Sequence, residues 1–194
     1  MNERRDVISS RRAICQAYLD LSSENPQEAI TASQLIEKSG LSRATFYAHY
    51  SDVHQVQKGI QDDFIELTVQ TLIPYLRQLF LHTDRAVFQI LRFFDINKKM
   101  IQAITMHGRN HTYYAECRQE IGKILLRNVF VGKITEDRIL KAMILASMIM
   151  DQAKDTVQNH LNYTVPQRAA VLTQMMQEGI SAGERNEEPT GRIY

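Results

Sequence analysis

The chain has 194 residues, enough for one large domain or a small domain joined to a medium one. Hydrophobic residues make up 44% and charged residues 23%, which excludes a disordered chain; 8 Gly and 4 Pro exclude collagen-like or loop-dominated architectures. The 23 Lys and Arg nearly cancel the 22 Asp and Glu, so bulk charge neither supports nor excludes a nucleic-acid partner.

Cys15 and Cys117 lie far apart and fit no metal-ligand spacing. A secreted disulfide framework needs more cysteines, so a reducing cytoplasm is the expected location. The opening residues, MNERRDVISSRRAIC, carry charges of both signs and no apolar core of a signal peptide. The most apolar run, Ile139 to Met150, contains Lys141 and falls short of the ~20 residues of a membrane helix. No membrane partner is expected.

Apolar spacing is helical almost throughout, with no run of alternating apolar and polar residues, so an all-α fold of about nine helices is expected. The first helix is predicted over 4–23, with Ile14, Ala17, Tyr18 and Leu21 on one face. Thr31 reads as an N-cap and Gln34, three residues on, completes a capping box. The helix they start is short, 32–39, because Gly40 supplies the left-handed conformation that ends it. A second short helix follows over 42–49.

Asp52 caps a long helix predicted to run toward Leu81, with Pro74 kinking or splitting it. Shorter helices are predicted over 84–95 and 97–107, with a break at Gly108–Arg109–Asn110. Longer ones follow over 111–130 and 136–161. Pro166 suits the first turn of a last helix ending near 180, and a polar tail from 181 is expected to fray.

The stretch from Ile30 to Val56, ITASQLIEKSGLSRATFYAHYSDVHQV, combines a capped short helix, a glycine turn and a second short helix. That is the pattern of a helix-turn-helix. Leu35, Ile36, Phe46 and Tyr50 read as its buried positions, leaving Arg43, Ala44, Tyr47 and His49 on other faces. Arg can donate a bidentate pair to guanine, Ala can meet only a thymine methyl, and a Tyr hydroxyl can donate to phosphate.

The run ITASQLIEKSGLSRATFYAHY, and above all S-G-L-S and T-F-Y-x-H-Y, resembles the DNA-binding region of the TetR/AcrR family of bacterial repressors. The resemblance covers about the first 60 residues. Beyond them it is architectural, except that Phe93–Phe94 to Glu120 looks like the C-terminal region of a subset of these regulators. It implies a three-helix DNA-binding domain over 1–58 and a helical effector-binding and dimerisation domain over 59–194. By position it implies that Thr31 binds phosphate, that Ser33 reaches a base or phosphate, and that Ser42 caps the recognition helix. Arg43, Ala44 and Thr45 would face the major groove, and Tyr47 and His49 would contact the backbone.

Two positions depart from the family pattern: Val53 stands where a phosphate-binding Lys is usual, and Ile36 where a small Ala is common. Residues 1–60 carry Arg4, Arg5, Arg11, Arg12, Lys38, Arg43 and Lys58 against Glu3, Asp6, Asp20, Glu24, Glu28, Glu37 and Asp52. Any positive field must therefore come from their arrangement.

In the C-terminal part, ILKAMILASMIM is apolar almost all round and calls for neighbours on more than one side. A homodimer is expected, built on helices 136–161 and 166–180 from each copy. It would present two recognition helices to a palindromic operator. The resemblance implies an effector pocket within residues 60–131, with Phe94, Met106, His107 and Tyr113 as its candidate residues. The effector is either a small molecule or a partner protein.

His107 and His111 stand four apart, but Gly108 and Asn110 argue against the single helix that a metal grip requires, so no metal is expected. No cofactor is expected. No phosphate loop, G-x-S-x-G, H-E-x-x-H or cysteine pair supports catalysis, so the chain is not expected to be an enzyme.

Overall fold

A computed structural model describes residues 2–24, 28–106, 112–130, 133–158 and 162–178, with side chains from Val7 on in the first helix and not for Met106. The described residues form nine α-helices and no strand. The all-α expectation is met. The helices are α1 (Asn2–Glu24), α2 (Ala32–Ser39), α3 (Arg43–His49), α4 (Val53–Arg77), α5 (Thr83–Ile96), α6 (Lys98–Met106), α7 (Thr112–Asn128), α8 (Glu136–Gln158) and α9 (Val165–Glu178).

The chain divides into two compact units. The first takes residues 1–71 and 97–120, the second 72–96 and 121–194. The division falls inside α4, at Leu72, and inside α7, at Ile121. Compactness thus groups residues differently from the boundary expected at 58, because most of α4 packs with 97–120. Gln61 Nε2 donates to Thr112 Oγ1 (2.8 Å), and the Phe64 and Tyr113 rings stack with centroids 5.7 Å apart.

In the first unit α1 packs against α2, α3 and α6. Ile14, Ala17 and Tyr18 of its inner face are buried, as their spacing requires, together with Leu35, Phe46 and Val56. In the second unit α5 is the common support of α8 and α9. Its Ala86, Val87, Ile90, Leu91 and Phe94 are all buried.

Pro74 neither splits α4 nor lets it reach Leu81. The helix passes through Pro74 and stops one turn later at Arg77, since only one amide is lost and the end is near. Tighter turns follow, with the Gln78 and Leu79 amides donating three residues back to Tyr75 (3.1 Å) and Leu76 (3.2 Å). The helix α9 begins with a second Thr-x-x-Gln capping box. Gln167 N donates to Thr164 Oγ1 (3.4 Å) and Thr164 N to Gln167 Oε1 (2.9 Å).

Candidate nucleic-acid interface

The segment 31–50 is organised by its caps. Thr31 has an extended backbone, and its hydroxyl oxygen accepts the Gln34 amide hydrogen (3.3 Å). Gln34 Oε1 accepts the Thr31 amide in return (2.8 Å). Two amides left orphaned at a helix start are thus satisfied within four residues. Gly40 ends α2 at φ 69°, a conformation that a side chain would strain, and its amide closes on the Glu37 carbonyl (3.2 Å).

Two residues later Ser42 starts α3: its Oγ accepts the Thr45 amide (3.1 Å). The turn is therefore only Gly40, Leu41 and the Ser42 cap, which holds the two helices in one short geometry.

The helix α3 divides sharply between its faces. Phe46 is 0% exposed, and Tyr50, which ends the helix, is also buried. Arg43 and Ala44 are exposed and Tyr47 is 52% exposed, with Thr45 and His49 half-buried. Thr31, Ser33 and Ser42 are exposed as well. The eight candidate contact residues thus lie together on one helix pair, none of them fully buried.

Ile36 is half-buried, in contrast to Leu35, which is fully buried. One apolar position in α2 therefore holds the core while the other lies at its edge.

The inner face is fixed from α1. Arg11 Nε donates to Tyr50 Oη (3.3 Å), and the guanidinium carbon lies 5.8 Å from the Tyr50 ring centroid. Cys15 Sγ is 3.5 Å from the same hydroxyl. Burial pushes both the Tyr50 hydroxyl and the Cys15 thiol above their ordinary pKa values, so both stay neutral and act as packing and hydrogen-bonding groups. A side chain at Gly59 would point at this ring, 3.6 Å from Tyr50 Cε1.

The sequence reading missed Arg11 as the partner of Tyr50. The two are 39 positions apart, and nothing local in either signals the pairing.

Two lysines near the motif are ion-paired. Lys38 Nζ bonds Glu24 Oε1 (2.6 Å), and Lys58 bonds Asp62 and lies 3.5 Å from Glu116 Oε2. Arg43 has no ion pair among the described residues and stands at the exposed start of α3. At the start of α4, Asp52 Oδ1 accepts the Gln55 amide (2.8 Å) and Oδ2 the Ser51 hydroxyl (3.1 Å). Those two hydrogen bonds hold its carboxyl below the ordinary value.

The candidate effector residues fall differently. Phe94 is fully buried in the second unit and Tyr113 in the first. The Tyr113 hydroxyl lies near Thr68 and Cys117, and burial pushes its pKa far up; the Cys117 thiol is pushed to about 12 for the same reason. Met106 is the last residue of α6, and His107 lies outside the described residues, as does His111.

Among the described residues no three His, Cys, Asp or Glu converge as metal ligands would, and no helix is long and apolar enough to cross a membrane. No protein-family model matches the chain, and no curated protein matches it significantly.

Proposed function

We propose that this protein is a DNA-binding transcriptional regulator, acting as a dimer on a palindromic operator and functioning as a repressor. The observation that carries the reading is the division of α3. Phe46 and Tyr50 anchor it inward while Arg43, Ala44 and Tyr47 stand outward with polar or small groups free to meet a duplex. A helix of this size fits the major groove, where Arg43 can pair with guanine N7 and O6 and Tyr47 can donate to a phosphate oxygen. Ser33, Thr31 and the half-buried Thr45 and His49 surround that contact with further hydrogen-bonding groups.

Dimerisation is assigned to α8 and α9. Leu140, Met143 and Ile144 on α8 and Val171 on α9 are each more than half exposed. Such a group of large apolar side chains is stabilised by covering it, and a second copy does so while supplying the second recognition helix. An effector bound more tightly by one spacing of the two helices than by the other changes DNA affinity by the same coupling free energy. A second reading, a regulator whose C-terminal region docks a partner protein and activates, is favoured by the same exposed apolar group.

Selection of bound duplexes from random DNA tests the proposal. The expected result is a palindrome with half-sites one helical turn or more apart. Arg43→Ala combined with Tyr47→Phe is expected to weaken binding of the selected duplex about a hundredfold with circular dichroism unchanged. Sequence-blind binding, or native affinity in the double variant, overturns the reading.

A further inference from the structure

In the second compact unit, the turn from α4 to α5 exposes two adjacent large apolar side chains. Phe80 is 58% exposed and Leu81 78%, while Leu76 and Leu79 beside them are buried. The Phe80 ring meets that of half-buried Phe130, just past α7, with centroids 6.0 Å apart. Leu76 and Leu79 already seal the turn from within, so the fold itself gains little from Phe80 and Leu81. A group of exposed apolar side chains marks a surface that another molecule covers.

Cations gather at the same place. Arg77 Nε donates to Asn128 Oδ1 (3.2 Å), which brings its guanidinium to the end of α7. Arg127, next to Asn128, is exposed, and so is Lys133, three residues beyond Phe130. Arg138 Nη1 donates to the Lys133 carbonyl (2.9 Å), so a fourth positive group joins them. Among the described residues none of the four is in an ion pair. The carboxylates of the same two stretches, 77–84 and 127–138, are Asp84, Glu136 and Asp137, and Asp137 is paired with Lys141 (2.8 Å).

We propose that Phe80, Leu81 and Phe130 form a docking surface for an acidic amphipathic segment of another protein, with Arg77, Arg127 and Lys133 receiving its carboxylates. The apolar group supplies the desolvated centre of such a contact. The charged rim selects the partner and speeds its arrival. A second copy of this chain fits poorly: in a two-fold contact the same surface meets itself, and the cations face one another. A nucleic acid matches the charge but leaves Phe80 and Leu81 without apolar cover. This gives the partner-docking reading a surface and a chemistry; the effect on DNA rests on that reading, and the docking itself does not.

Selection from a phage-displayed library of random linear peptides against the full chain tests the surface. Enriched peptides are expected to combine Leu, Phe or Trp with several Asp or Glu. In fluorescence anisotropy the most enriched peptide should bind at least about tenfold more tightly than the same sequence with Lys at its acidic positions. Leu81→Asp should weaken it at least about tenfold with circular dichroism unchanged. Arg77→Glu combined with Arg127→Glu should reverse the preference, so that the Lys version binds better. Added salt should weaken the native complex, and less so when Arg77 and Arg127 are both replaced by Gln.

Enrichment of basic or uncharged peptides overturns the proposal, as does the absence of any enrichment. So does full affinity for the acidic peptide in folded Leu81→Asp or in the folded charge-reversed variant. Where no acidic peptide is enriched, Leu81-dependent sedimentation with phosphatidylserine vesicles assigns the surface to lipid, and Leu81-dependent self-association assigns it to a second copy. Peptide binding that leaves affinity for the selected duplex unchanged supports the surface and counts against its regulatory use alone.

Discussion

The helices α3 and α8 solve opposite problems. The first is seven residues long, starts on a serine cap and turns small or polar side chains outward. The second is 23 residues long and exposes Leu140, Met143 and Ile144 beside charged Asp137 and Lys141, which pair with each other at 2.8 Å. A short helix has too few turns to be stable alone, so α3 depends on its cap and on two aromatic anchors. A long apolar helix can be stable on one packed face and still present a second apolar face. In the proposed regulator, specificity belongs to the first and association to the second.

The largest expected effect belongs to α8. Replacing Met143 and Ile144 together by Asp removes about 1.5–3 kcal/mol of burial per side chain in each copy of the proposed dimer. The dissociation constant is expected to rise at least about a thousandfold in analytical ultracentrifugation, with the monomer still folded. If the double variant dimerises as tightly as the native chain, the contrast between the two helices fails on its association side.

Phe46→Ala comes next. It opens a cavity behind α3 and is expected to cost about 3–5 kcal/mol in chemical denaturation, whereas Tyr47→Phe on the outward face should leave stability unchanged. Equal costs at the two positions would erase the division between faces. The smallest effect is Thr31→Ala, about 1 kcal/mol through the lost cap of α2. A value near zero would mean that packing of Leu35, and not the capping box, holds that helix in place.

What could be read from the sequence follows the range of the interactions. The bounds of α2, the turn at Gly40 and the start of α3 were legible because each is decided within four residues, by Thr31 with Gln34 and Ser42 with Thr45. Thr164 and Gln167 carry the same signal at α9, where the spacing points only to Pro166. The end of α4 was not legible: Pro74 marked trouble nearby, but where the helix stops depends on the packing of Leu76 and Leu79, both buried.

Pairings across the chain left no trace in spacing. Arg11 with Tyr50 and Gln61 with Thr112 join residues 39 and 51 positions apart. For α8 the pattern shows that the stretch ILKAMILASMIM is apolar almost all round. Which side is buried was set by α5, through Leu145 and Ile149, and not by anything in its own sequence.

The way Tyr50 is held has a consequence for how such a molecule can change. Its hydroxyl and ring are gripped by Arg11 and Cys15, and Phe46 is sealed beneath with the Tyr47 ring edge-on against it, so the posture of the short helix is set without the exposed Arg43 and Ala44. Those two positions can drift independently of the scaffold. On the proposed DNA-binding reading, a duplicated copy acquires a new target through those outward side chains while the inward anchors stay unchanged.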